Sequence, residues 1–395
     1  GLPFEMIEQA KLAEAYGNNM IFLFLGGFIL ALGIEKGDLH EFIAFTILRL
    51  VGQTPVRILA GFMAATAFLS MWISNTATAL MMLPIAISII KVTPRFREKK
   101  LFTIGLLLSI AFSANIGGTA TLIGTPPNIQ MAGILSSEFN VQVDFFQWFI
   151  FAFPFMLIML LITFFTLRFY LVKQASFEMV EFGKRTLNIN QKRILILFGL
   201  VVLSWMSRSL INQISPIEIN DTAIALTGAL LLFILPSKEQ KPLLVWGDLT
   251  QLPWGILFLF GGGMALASIL ANANIVAYFI QQLAPIAQLP MIVLVLIIVT
   301  IALFSTELMS NLALVSLLIP LIGEFALEMD LPLFGISAAV ALSASCAFML
   351  PVATPPNAIV YSSRQISLQN MIRYGFLLNV ITVFVITGLV YLVFF

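Results

Sequence analysis

Apolar runs long enough to cross a bilayer recur from one end of this chain to the other, and that recurrence restricts it to one class of fold. A crossing helix needs about 20 such residues. Stretches at about 19–34, 101–136, 146–173, 193–210, 221–236, 253–271, 333–361 and 374–395 each read as able to cross. Of the 395 residues, 60% are hydrophobic and only 10% charged, where a soluble domain carries about 45–50% and 25%. So small a polar minority cannot cover a globule of this size. The expected class is an all-α polytopic membrane protein, multi-pass in the plasma membrane, of bacterial inner-membrane type.

Composition also excludes other functions. Twenty Lys+Arg against nineteen Asp+Glu give a net charge of +1, so no basic field invites nucleic acid. One cysteine, Cys346, and one histidine, His40, cannot build a Cys-rich or H-E-x-x-H metal site. No G-x-S-x-G nucleophile elbow and no TVGYG filter occurs. Neither an enzyme nor a channel is expected. The chain opens at Gly1 with no signal peptide visible.

Two longer apolar blocks, 55–90 and 291–328, carry polar residues in their middle. Their meaning follows from the basic residues, which concentrate in cytoplasmic loops. The loops near 35–57, 91–100, 168–193, 237–252 and 362–373 hold 3, 5, 6, 2 and 2 Lys/Arg, 18 of the chain's 20. The alternate loops near 137–145, 211–220, 272–290 and 324–332 hold none, and only Lys11 and Arg208 fall on the outer side. Block 55–90 therefore enters from the cytoplasm and returns, and block 291–328 enters and leaves from outside. Both read as re-entrant helical hairpins, with breaks tolerated only inside protein or beside a wet cavity.

An internal repeat agrees. Ser74-Asn75 leading to Pro84 recurs as Ser310-Asn311 leading to Pro320, 236 positions on, together with Gly26-Gly27 as Gly262-Gly263 and Ser70 as Thr306. Thr125-Pro126-Pro127-Asn128 recurs as Thr354-Pro355-Pro356-Asn357, 229 positions on. The expected division is a first repeat over 1–173 and a second over 174–395, of opposite orientation. Inverted repeats with broken helices mark secondary transporters. The spans at 193–210 and 221–236 precede the second repeat, so at least two further helices are expected upstream of Gly1.

Each break has a chemical use. Ser and Asn are helix N-caps, so the two S-N pairs start the return helix of each hairpin. A helix start presents unpaired N–H groups that suit an anion. The T-P-P-N segments are expected to stop a helix and free carbonyl oxygens for an alkali cation. Ser70, Ser74 and Asn75 share a face, as do Thr306, Ser310 and Asn311. The pattern reads as two quasi-symmetric cation sites flanking one anion. Neither break contains Lys or Arg, so bound cations and helix dipoles must neutralise it. Glu307, beside Thr306, reads either as a coupling acid or as a structural acid bonded to neighbouring N–H groups. Trp148, Trp246 and Trp254 fall near expected boundaries, where aromatic belts lie. The run Gly261-Gly262-Gly263 suits close helix packing.

The run Met71-Trp72-Ile73-Ser74-Asn75-Thr76-Ala77-Thr78-Ala79, both T-P-P-N segments and the second S-N hairpin resemble the divalent anion/sodium symporter family, within the ion transporter superfamily. The resemblance covers essentially the whole chain. It implies sodium-coupled uptake of a C4-type dicarboxylate such as succinate, in a homodimer with a scaffold and a mobile transport domain moving as an elevator. It implies sodium at Ser70, Ser74, Asn75 and the Gly124 carbonyl, with Gly118 as the rival donor, and again at Thr306, Ser310, Asn311 and Ala353. It implies substrate carboxylates at Asn75, Thr76 and Asn311, with Thr354 and Pro355 nearby. An exchanger or proton-coupled carrier of citrate, 2-oxoglutarate or sulfate is the alternative that the same fold can host. The chain departs from the family pattern at Leu312, where a hydroxyl is often found, and this opens the question of which anion is preferred.

Overall fold

The computed structural model describes residues 9–51, 54–92, 99–171, 186–272 and 289–395. The expected boundary between the repeats, the outer loop near 272–290 and most of the basic loops near 91–100 and 168–193 lie outside the described residues. Within them the chain is helical: α1 (Gln9–Tyr16), α2 (Asn19–Lys36), α3 (Leu39–Val51), α4 (Pro55–Ser70), α5 (Asn75–Val92), α6 (Lys99–Gly118), α7 (Pro126–Phe139) and α8 (Phe145–Leu171). After these come α9 (Ile189–Ile214), α10 (Asp221–Ile234), a 3-10 turn (Trp246–Gln251), α11 (Trp254–Asn272), α12 (Met291–Ser305), α13 (Asn311–Glu328), α14 (Leu333–Ser345), α15 (Pro355–Ser362) and α16 (Leu368–Phe394).

The interrupted blocks are helix pairs. The first is α4 and α5, parted at Met71–Ser74, and the second is α12 and α13, parted at Thr306–Ser310. At 1.5 Å per residue, the 16 residues of α4 and the 15 of α12 reach only ~24 and ~22 Å, short of a hydrocarbon core of about 30 Å. Two further runs are broken, α6 from α7 and α14 from α15. Six helices among the described residues are long and apolar enough to cross a membrane, so the chain is a multi-pass integral membrane protein.

Burial locates the core. In its most apolar window α6 is 94% buried, against 22% for α9. So α6 is walled by protein, which is why it can carry Ser109, Ser113 and Asn115 at depth. Small residues set the tightest approaches. A Cβ on Gly117 would lie 2.4 Å from the Ala67 carbonyl of α4, and one on Gly26 would lie 2.8 Å from Ala225 of α10. In the triple-glycine run, Gly261 meets Tyr16 of α1, while Gly263 meets Ser316 and Gln130, as close packing requires.

One reading of the sequence needs correction here. Trp148 is no belt residue: it is fully buried, and its indole N–H donates to the Thr119 carbonyl at 2.9 Å. Trp246, by contrast, is largely exposed. Arg208, an exception to the charge bias, is neutralised in place by Asp144 at 3.0 Å and Asp221 at 3.3 Å.

Candidate functional site

Each hairpin tip gathers three oxygens around too few protons. The Ser70 hydroxyl, at the end of α4, lies 2.5 Å from Asn75 Oδ1 and 2.7 Å from the Ala114 carbonyl. The Thr306 hydroxyl, at the end of α12, lies 2.7 Å from Asn311 Oδ1 and 3.0 Å from the Ala344 carbonyl. A hydroxyl has one proton to give, and amide and carbonyl oxygens have none. Each trio therefore presents more oxygen lone pairs than its single hydroxyl proton can meet at one time. A hard cation takes such oxygens as ligands, so the donor set fits sodium. Ser70 and Thr306 are wholly buried.

The tips differ in their caps. Ser74 Oγ accepts the Ala77 N–H at 3.1 Å, which closes the first turn of α5 in the expected way. Ser310 occupies the N-cap of α13 but makes no side-chain bond to it. At the second tip the serine hydroxyl and the first-turn N–H groups are thus not committed to each other.

The T-P-P-N segments begin helices instead of ending them. Thr125 and Thr354 are the N-caps of α7 and α15, and the prolines take the first helical positions. There a missing N–H costs nothing and the fixed φ favours the helix. The freed carbonyls lie upstream, at the ends of α6 and α14. The asparagine of each segment staples them. Asn128 Nδ2 donates to the Gly118, Thr119 and Thr121 carbonyls at 3.3, 3.2 and 2.8 Å. Asn357 Nδ2 donates to the Ala347 and Leu350 carbonyls, both at 3.1 Å. Gly118–Thr121 and Ala347–Leu350 are related by the same 229-residue offset as the asparagines.

Both glycines proposed as carbonyl donors sit against the first trio. A Cβ on Gly118 would lie 2.4 Å from Asn75 Oδ1, and one on Gly124 would lie 2.4 Å from the Gly118 carbonyl oxygen. Only hydrogen fits at either position.

Between the tips and the breaks lies a cavity of about 340 Å³, which brings together Ser74, Asn75, Thr76, Gly124, Ser310, Asn311, Ala353, Thr354 and Pro355. Ser70, Thr306 and Glu307 are not on its wall. No charged side chain lines it, and Phe24, Phe28, Ile123, Ile256, Leu259, Leu312 and Val352 make much of the remainder. Asn115 is also on the wall, and sequence reasoning missed it. Its Nδ2 donates to the Ala347 carbonyl at 3.1 Å and to Thr354 Oγ1 at 3.0 Å, tying α6 to the second break.

Glu307 lies behind the second tip, 3% exposed. Its Oε1 accepts the Phe348 and Met349 N–H groups, both at 2.8 Å, and Asn379 Nδ2 at 2.7 Å. Its Oε2 accepts the Leu350 N–H at 2.9 Å. Four donors converge on this one carboxyl and fix its position against the second break. None of the ion pairs among the described residues includes it. Its place in the first half is taken by Met71, whose carbonyl accepts the Thr121 hydroxyl at 2.6 Å.

Comparison with known proteins follows this geometry. In fold the chain is similar to the YdaH transporter of Alcanivorax borkumensis, with a TM-score of 0.65, 11% identity, and coverage of 96% of this chain and 86% of that one. In sequence it is 34% identical to the sodium-dependent dicarboxylate transporter SdcS of Staphylococcus saprophyticus, over 98% of this chain and 78% of that protein. To SdcS of Staphylococcus aureus (strain USA300) it is 36% identical, over 98% of this chain and 79% of that protein. The family model of the sodium:sulfate symporter transmembrane region matches residues 5–394, and the chain belongs to that family.

Proposed function

We propose that this protein is a secondary transporter of the plasma membrane that couples sodium entry to uptake of a C4-type dicarboxylate such as succinate. The observation that carries the reading is the uncharged cavity between two oxygen trios. A dianion enclosed there would cost several kcal/mol or more without counter-charge. Among the lining groups, only helix N-termini and cations held by the trios can supply it. Cation and anion binding are then linked by electrostatics, and neither is favourable alone. The names of the SdcS relatives support both sodium and dicarboxylate as cargo.

In this reading, sodium is held at Ser70, Ser74, Asn75 and Gly124, with the Ala114 carbonyl added. A second ion is held at Thr306, Ser310, Asn311 and Ala353, with the Ala344 carbonyl added. The carboxylates meet Asn75, Thr76, Asn311, Thr354 and Pro355. Residues 1–173 and 174–395 form the two inverted repeats, and alternating access proceeds as an elevator in a homodimer. Glu307 acts as a structural acid whose four hydrogen bonds shape the second break.

The test is labelled succinate uptake into proteoliposomes, with sodium or potassium outside and with or without succinate inside. Sodium-dependent uptake into empty vesicles is expected. Uptake that requires internal anion and ignores sodium would replace symport with exchange and remove the cations from the trios.

A further inference from the structure

Thr76 and Leu312 hold equivalent positions 236 residues apart, each one residue past the asparagine that opens its return helix. Both line the same cavity. Leu312 is buried, stands outside the contiguous hydrophobic core and is part of the cavity wall. The first tip therefore offers a hydroxyl, and the second an isobutyl group on a wall that also carries Ile123 and Val352. The backbone of the second tip remains suited to a carboxylate, because Ser310 makes no side-chain bond to α13.

We propose that Leu312 makes the two ends of this site chemically unequal, so that it accepts a hydroxyl at one end of a four-carbon dicarboxylate and a hydrogen or alkyl group at the other. The inference rests on the dicarboxylate reading above. A substrate hydroxyl placed beside Thr76 finds a partner, because the Thr76 oxygen that donates its proton to the carboxylate can still accept one. One placed beside Leu312 loses its water and gains nothing in return. A dicarboxylate with a single hydroxyl avoids this by binding in one orientation. One with a hydroxyl on each central carbon cannot avoid it in either orientation. A methyl group is welcome at the Leu312 end, where it covers apolar surface.

The experiment is competition against sodium-driven labelled succinate uptake in proteoliposomes by succinate, malate, methylsuccinate and tartrate, for the unmodified protein and for Leu312→Thr. For the unmodified protein, malate and methylsuccinate are expected to compete within about threefold of succinate, with tartrate weaker by roughly tenfold or more. In Leu312→Thr the gap between tartrate and malate should close by about tenfold, and methylsuccinate should weaken. Tartrate equal to malate in the unmodified protein overturns the proposal, whether or not the variant folds. An unmoved gap in a variant that still takes up succinate also overturns it. If the unmodified protein shows no sodium-driven dicarboxylate uptake, the dicarboxylate reading itself falls with it, and that result is distinct from uptake without discrimination.

Discussion

Replacing Thr306 by valine keeps the shape of the side chain and removes the hydroxyl that lies 2.7 Å from Asn311 Oδ1 and 3.0 Å from the Ala344 carbonyl. In the sodium-free protein this deletes one neutral hydrogen bond, at about 1 kcal/mol of stability. In the proposed sodium-loaded form it deletes an oxygen from the shell of a charge, and contacts to charged groups are worth about 1.5–3 kcal/mol. The affinity change is the difference between the two losses, about 0.5–2 kcal/mol, so at a factor of ten for each 1.4 kcal/mol sodium half-saturation should rise roughly 2- to 30-fold. Linkage requires succinate affinity at a fixed, subsaturating sodium concentration to fall as well, and high sodium to restore it. Uptake measured over a matrix of sodium and succinate concentrations reads both effects. A purely structural hydroxyl would lower thermal stability and leave sodium half-saturation alone. Half-saturation within about twofold of the unmodified protein, at unchanged maximal rate, would refute the assignment of the second trio.

Four further outcomes are expected. Glu307→Gln sets an amide N–H against one of the donors that now meets the carboxylate; an unpaired buried group and a lost charge-assisted bond cost about 2–4 kcal/mol, read as a lower unfolding temperature. If uptake by the unmodified protein instead rises with an imposed proton gradient and Glu307→Gln abolishes that rise, the purely structural role is wrong. Ser74→Ala removes the cap of α5 and, in the proposed assignment, a sodium ligand; full sodium-driven uptake by this variant would remove Ser74 from the first cation site. Gly263→Ala places a Cβ 2.4 Å from Ser316 Oγ and 2.6 Å from Gln130 Nε2, so a loss of about 1–3 kcal/mol is expected, while Gly199→Ala, with nothing within 4 Å, should be neutral or stabilising by up to about 1 kcal/mol. At Asp248, outside the spans, burial pushes the carboxyl up, but the ion pair with Lys36 and the Val245 N–H outweigh it and hold the carboxyl below its ordinary range. Its contribution is therefore complete above the ordinary carboxylate pKa and fades only as pH falls through the depressed value, so Asp248→Asn should matter at pH 7 and lose its effect in acid.

What the sequence revealed depended on which atoms carry the structure. Breaks announce themselves through side chains: Ser-Asn pairs in apolar runs, and prolines at fixed offsets. The helix boundaries at Ser70, Asn75, Ser310 and Thr354 follow from them. Backbone atoms give no such notice. The Ala114 and Ala344 carbonyls complete the trios, yet alanine in an apolar helix looks the same whether or not its oxygen is in use. The proline rule was also read in the wrong direction, because a proline that cannot continue a helix is well suited to begin one. Asn115 has no repeat partner that signals it: in the register that relates Ala114 to Ala344, its counterpart is Ser345, which bonds its own helix at Ala341. Trp148 was misplaced because its distance along the chain from a boundary says nothing about which side it faces.

The bonds from Asn115 to the Ala347 carbonyl and to Thr354 Oγ1 have a mechanical consequence. They rivet the long central helix of one half to the break of the other, inside a volume that water would have to enter to take their place. A displacement that separated the halves would expose a carbonyl, a hydroxyl and an amide together. The less costly displacement is one in which both halves travel as a block. In the proposed elevator reading, cargo held between them keeps its cage throughout the passage, and its coordination is assembled once and dismantled once instead of being rebuilt along the way.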